Sequence, residues 1–161
     1  MKRISIFLAS GFGLGFSPFA SGTVGSLPGI PLAYLVHMCP SLPGQILFCA
    51  LLVLVAVYVC DVAEKEYGKK DDGRIVADEY MLLPICTLGV PMHLDLPKQL
   101  LVWAVVFGVA RFFDILKPPP ARGLQSVKGG MGIVIDDLFA SFYALATIQG
   151  LLYAARQTGW L

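Results

Sequence analysis

The sequence predicts an all-α fold, a compact bundle of about five main helices that is membrane-embedded and carries its polar site at one end. Three observations predict it. Of the 161 residues, 57% are hydrophobic and only 14% charged, against about 25% charged in ordinary soluble domains, and mean hydropathy is +0.73. The charges are also segregated. Lys2 and Arg3 precede residues 4–60, which hold no Asp, Glu, Lys or Arg; 11 charges then crowd into residues 61–79, and the rest are spread over residues 95–156. Finally, long apolar blocks alternate with Pro- and Gly-rich punctuation. The length suits one domain over residues 1–161. The composition excludes a disordered chain and a coiled coil, and the formal net charge of +1 excludes a nucleic-acid binder relying on basic excess.

Each block has a local reason. Residues 26–39 are apolar, with Pro28 and Pro31 in the first turns, where proline is tolerated. Residues 40–44 (Pro-Ser-Leu-Pro-Gly) form a turn. Residues 45–60 are apolar and continue into good helix formers up to Glu66, before a charged loop at 68–73. Residues 74–90 are helical in composition, with Pro84 as a kink. Residues 98–116 form a long apolar helix stopped by Lys117-Pro118-Pro119-Pro120. Residues 121–130 are a loop, and residues 131–156 a last helix with Asp136 and Asp137 in its early turns. A bilayer span needs about 20 apolar residues, which the last two helices supply, while 45–60 is borderline and 26–39 marginal.

Short connections make neighbouring helices antiparallel, so loops alternate between two ends. One end receives Lys65, Lys69, Lys70, Arg74, Arg111, Lys117, Arg122 and Lys128; the other has only Lys98 and Arg156 nearby. In a membrane, the positive-inside rule puts the charged end in the cytoplasm. The N-terminus loosely imitates a secretory signal, but Gly11, Gly13, Gly15 and Pro18 spoil its apolar helix, so no cleavage is expected. Cys39, Cys49, Cys60 and Cys86 lie in apolar stretches without C-x-x-C spacing and read as reduced buried thiols. His37 and His93 fall at the opposite end and read as structural or exposed.

The charged end collects the chemistry. Asp78-Glu79 and Asp136-Asp137 each sit in apolar helical surroundings, where a carboxylate is expensive unless paired or metal-bound. Hard oxygen ligands of this kind suit Mg²⁺ or Mn²⁺. The competing explanation is charge complementation of helix N-termini. Arg111, Asp114 and Lys117 lie within i±3 steps of one another, as an ion-pair ladder or an anion clamp. Residues 21–26 (Ser-Gly-Thr-Val-Gly-Ser) offer amides and hydroxyls before a helix, a phosphate cradle or a simple cap, without the lysine of a nucleotide P-loop. Carboxylates, cations and such a segment together suggest metal-assisted phosphoryl chemistry.

At these residues the chain resembles the phosphatidylglycerophosphatase A family. The matching stretches are residues 17–26 (SPFASGTVGS), 70–79 (KDDGRIVADE), 112–118 (FFDILKP) with Arg111 before it, and 129–137 (GGMGIVIDD), in the family's order and across most of the chain. Three departures concern Tyr80–Pro84 in place of a family glycine, Lys117-Pro-Pro-Pro in place of Lys-Pro-Trp-Pro, and Ser141 for a glycine. The resemblance implies a Mg²⁺-dependent phosphatase that removes the terminal phosphate of phosphatidylglycerophosphate to give phosphatidylglycerol, in the bacterial inner membrane and facing the cytoplasm. Its partners would be the phospholipid substrate and the membrane. Metal would be held by Asp78, Glu79 and Asp137, with Asp136, Asp71 and Asp114 in support; phosphate would be held by Arg111, Lys117 and Lys128, helped by Thr23 and Ser26. A metal-activated water is the favoured nucleophile, a phospho-aspartate the other route. The alternatives are a metal-dependent phosphatase of a soluble phosphate ester and a non-enzymatic small membrane transport protein, which would carry its charges at mid-membrane.

Overall fold

The computed structural model describes residues 2–70, 72–124 and 127–160. Among these the regular structure is helical: α1 (Lys2–Ala9), α2 (Ser21–Gly25), α3 (Gly29–His37), α4 (Leu42–Tyr67), α5 (Ala77–Cys86), α6 (Leu96–Leu116), α7 (Ala121–Leu124) and α8 (Gly130–Gln157). The five expected blocks correspond to α3, α4, α5, α6 and α8. The structure adds two local features. A short helix, α1, precedes the glycines and ends before Gly11 and Gly13, whose left-handed φ of 58° and 94° glycine adopts without steric cost. Residues 21–25 are a short helix rather than an open cradle.

The long helices begin and end where local chemistry dictates. The Ser41 hydroxyl accepts the Gly44 amide hydrogen at 3.3 Å to cap α4, and Gly68 closes it at φ 65°. Pro97 sits in the first turn of α6, where its missing N–H costs nothing. α4, α6 and α8 are each long and apolar enough to cross a membrane. At 1.5 Å per residue they measure about 30–40 Å, against a hydrocarbon core of about 30 Å.

Their faces divide accordingly. On α4, Leu47, Leu51, Leu54 and Tyr58 form an exposed stripe at helical spacing, while Cys49, Ala56, Cys60 and Ala63 are buried. Small inward residues let helices approach closely, as membrane bundles require, and a large outward residue every turn suits lipid. α5 differs: every residue except Glu79 is buried. Ten residues make it too short to span, and its all-round apolar surface is covered by α3, α4 and α8. Pro84 lies within it without ending it. Thus a short buried post carries the first acidic pair into the middle of the bundle.

The alternation of ends holds. The His37 Nε2 lies 3.0 Å from the Thr87 carbonyl oxygen, joining the far ends of α3 and α5. At the charged end the Val76 amide donates to the Ala9 carbonyl at 2.8 Å, and Lys70 Nζ donates to the Val127 carbonyl at 2.8 Å.

Candidate active site

The site forms where α5, α6 and α8 meet below the α2–α3 connection. A cavity of about 30 Å³ is lined by Ser26, Asp78, Glu79, Arg111, Asp114 and Asp137, with Cys86, Ala140 and Ser141 among its apolar and neutral walls. Six residues from four separated segments of sequence therefore share one small space. Asp78 and Glu79 occupy the first turn of α5, where acidic side chains also complement the helix dipole. Asp136 and Asp137 do not fit that explanation. α8 begins at Gly130, so they lie beyond its first turn, and they are only 2% and 5% exposed.

Arg111 is held from two sides. Its Nη1 lies 2.5 Å from Glu79 Oε2 and 2.6 Å from Asp114 Oδ2. Ser26 Oγ, 2.6 Å from the same Glu79 oxygen, is 3.3 Å from Arg111 Nη1. The buried Arg111 Nε has no acceptor among the described residues, a donor left over for an anion. Burial pushes the Glu79 carboxyl above the ordinary carboxylate range; Arg111 opposes this and Asp114 adds to it.

Lys117 is the second cation. Its Nζ pairs with Asp136 Oδ2 and lies 2.9 Å from Asp137 Oδ1, with Asp114 Oδ1 at 3.9 Å. Burial works against its charge, but the Asp137 and Asp136 carboxylates outweigh it and hold the ammonium above its usual range. Lys117 caps α6 at φ 43°, a left-handed conformation costly for a residue with a Cβ; it turns the chain out of α6.

Of the expected site residues, Ser26, Asp78, Glu79, Arg111, Asp114 and Asp137 line the cavity, and Asp136 reaches it through Lys117. Thr23 is exposed and does not line it. Lys128 is exposed beside Gly129, which borders a separate polar hollow with Asp61, Glu64, Lys65, Lys69 and Lys70. Asp71 lies outside the described residues. Its neighbour Asp72 is structural: Arg74 Nε lies 2.7 Å from its Oδ1, the Arg74 amide donates to it at 3.1 Å, and Arg74 holds its carboxyl down at about 2.

Gly22 was not foreseen. A Cβ there would lie 2.5 Å from Glu79 Oε1 and 2.8 Å from Arg111 Nη2. α2 thus presses bare backbone against the ion pair, and a side chain at this position would displace the Glu79 carboxylate and the Arg111 guanidinium from where they sit. The signal in the sequence was the run of small residues at 20–26, which does not say which of them makes the approach.

The cavity's oxygen donors are of the chemical kind that divalent cations take. Asp78, Glu79, Asp114 and Asp137 line one cavity. Such hard oxygens suit Mg²⁺, and a cation relieves the repulsion of buried like charges. Among the described residues, no three Asp, Glu, His or Cys side chains are already gathered as a ligand set; Arg111 and Lys117 are the positive charges facing these oxygens.

A buried pocket of carboxylates and a guanidinium, with an ammonium paired to one of its carboxylates, at one end of an apolar helical bundle, is the equipment of a phosphoric monoester hydrolase. The comparisons make that class specific. Residues 7–152 match the phosphatidylglycerophosphatase A family. A phosphatidylglycerophosphatase A of Haemophilus influenzae is 35% identical over 159 residues, covering 95% of this chain and 94% of the relative. That of Escherichia coli is 39% identical over 152 residues, covering 91% and 80%. No solved structure matches. The chain belongs to the phosphatidylglycerophosphatase A family.

Proposed function

We propose that the chain is a Mg²⁺-dependent lipid phosphatase that hydrolyses phosphatidylglycerophosphate to phosphatidylglycerol and phosphate, in the inner membrane of a bacterium with its site facing the cytoplasm. The observation that carries this reading is the buried meeting of four carboxylates with Arg111 at the charged end of three apolar helices. The names of the relatives support the substrate, and the excess of Lys and Arg at that end supports the orientation.

Arg111, fixed at Nη1 by Glu79 and Asp114, presents a pre-oriented fork to the phosphate. Lys117 supplies a second positive charge from the α8 side. Ser26 and Gly22 hold the Glu79–Arg111 pair in place and bound the space above it. Mg²⁺, held by Asp78, Glu79 and Asp137 with Asp136 and Asp114 in support, would supply Lewis acidity toward the phosphate oxygens and a nucleophilic water. Hydrolysis forms a bond from water oxygen to phosphorus and breaks the bond from phosphorus to the glycerol oxygen. The cationic residues favour this because charge on the phosphate oxygens is held by groups that need not reorganise.

The test is Mg²⁺-dependent phosphate release by Asp78→Asn and Asp137→Asn, each expected to fall by roughly 10²-fold or more. Rates near wild type in both would remove these residues from the site. Equal turnover of the lipid and its water-soluble head-group analogue would favour a soluble substrate instead.

A further inference from the structure

The two helices that wall the polar pocket, α6 and α8, also line an apolar groove further along their length. α6 gives Ala110, Arg111 and Asp114 to the pocket, and, from one turn further along, Val106, Val105 and Leu101 to the groove. α8 gives Asp137 and Ser141 to the pocket, then Ile148 and Leu151 to the groove. Val106 and Ile148 are buried and form the floor; Leu101, Val105 and Leu151 are exposed and form open walls. Trp160 stands at the far end, where its carbonyl accepts from Lys98 Nζ at 2.9 Å. The groove encloses about 240 Å³.

Depth and direction decide what it holds. Along α6, Val106 to Leu101 lie about 7–15 Å below Arg111 at 1.5 Å per residue. The hydrocarbon of one leaflet is about 15 Å deep, half of the core. A lipid with its phosphate at Arg111 therefore has its chains at the level of this groove. We propose that the groove receives an acyl chain of the phospholipid substrate, which rests on the lipid-phosphatase reading above.

A larger hollow of about 400 Å³, lined by Leu54, Leu138 and Phe142 among others, lies between α4, α5 and α8. It is not the continuation of the site. Leu138 and Phe142 share one face of α8, turned about 100° from the Asp137–Ser141 face that lines the pocket. Lipid tails are as apolar as leucine, so seating a chain in the groove yields packing and orientation rather than hydrophobic free energy. A several-fold effect is therefore expected, not an all-or-none one.

Val105→Trp fills the groove from an open wall. It is expected to lower kcat/KM for a long-chain phosphatidylglycerophosphate by roughly tenfold relative to a short-chain one in the same micelles, mainly through KM. Leu54→Trp, in the other hollow, is expected to leave the long-to-short ratio at its wild-type value. If Val105→Trp loses short-chain turnover through misfolding, Leu151→Ala decides: truncation at this exposed position widens the groove and should lower the long-to-short ratio. Ratios equal to wild type in Val105→Trp or, failing that, in Leu151→Ala overturn the groove while leaving the lipid-phosphatase reading intact. A wild-type protein that releases phosphate from neither lipid overturns both.

Discussion

Two clusters of mixed charge stand at the same end of the bundle, and they differ in what encloses them. In the hollow bordered by Asp61, Lys65 and Gly129, the Lys65 ammonium sits 2.5 Å from Asp61 Oδ2 with side chains 75% and 34% exposed. In the pocket, Arg111 sits at the same 2.5 Å from Glu79 with side chains 18% and 15% exposed. Distance and chemistry are alike; the surroundings are not. An exposed pair shares its field with water and contributes little. A buried pair has given up hydration, so loss of either member strands the other. Composition therefore does not distinguish a solvated patch from a site; enclosure by α5, α6 and α8 does.

The largest break in this comparison is Arg111→Ala. It leaves Glu79 and Asp114 buried without their guanidinium, and should cost about 3–5 kcal/mol in stability and roughly 10²–10³-fold in phosphate release. Arg111→Lys restores charge but not the planar fork, so it should recover stability further than turnover; thermal unfolding in detergent beside activity separates the two. Next is Gly22→Ala, which sets a methyl against the Glu79–Arg111 pair. It should cost about 1–3 kcal/mol and lower turnover, without touching any charge. A smaller effect is expected of Asp72. Its carboxyl is held at about 2, below the unfolded value of 3.8, so its contribution is present above that value and is lost as pH falls through about 2. Asp72→Asn should flatten stability across that acidic window and leave neutral-pH turnover unchanged. Lys65→Ala, at the exposed pair, is expected to change neither the unfolding midpoint nor turnover measurably; a loss comparable to that of Arg111→Ala would erase the distinction between the clusters.

Much of this was legible in the chain. Asp78, Glu79, Asp136 and Asp137 were conspicuous because carboxylates in apolar helices demand a reason, and Arg111, Asp114 and Lys117 because helical spacing makes them neighbours. Three features were not legible. α1 required knowing that a helix of eight residues fits before Gly11 and is covered by α4. The approach of Gly22 to Glu79 depends on how α2 lies across α5, which spacing within 21–26 cannot convey. Lys128 shares the charged end with the pocket, yet lies beside Gly129 at the other hollow, because parity assigns an end of the bundle but not a side.

The sequence by itself determined the helical class, the lengths of α6 and α8, and the gathering of charge at one end, since hydrophobic runs, proline and glycine act locally and loop parity follows from them. Only the tertiary structure decided which charges became a site. α5 is too short to reach lipid and too apolar to face water, so it is enclosed by its neighbours, and that burial brings its Asp78 and Glu79 against Arg111, Asp114 and Asp137 in one small cavity.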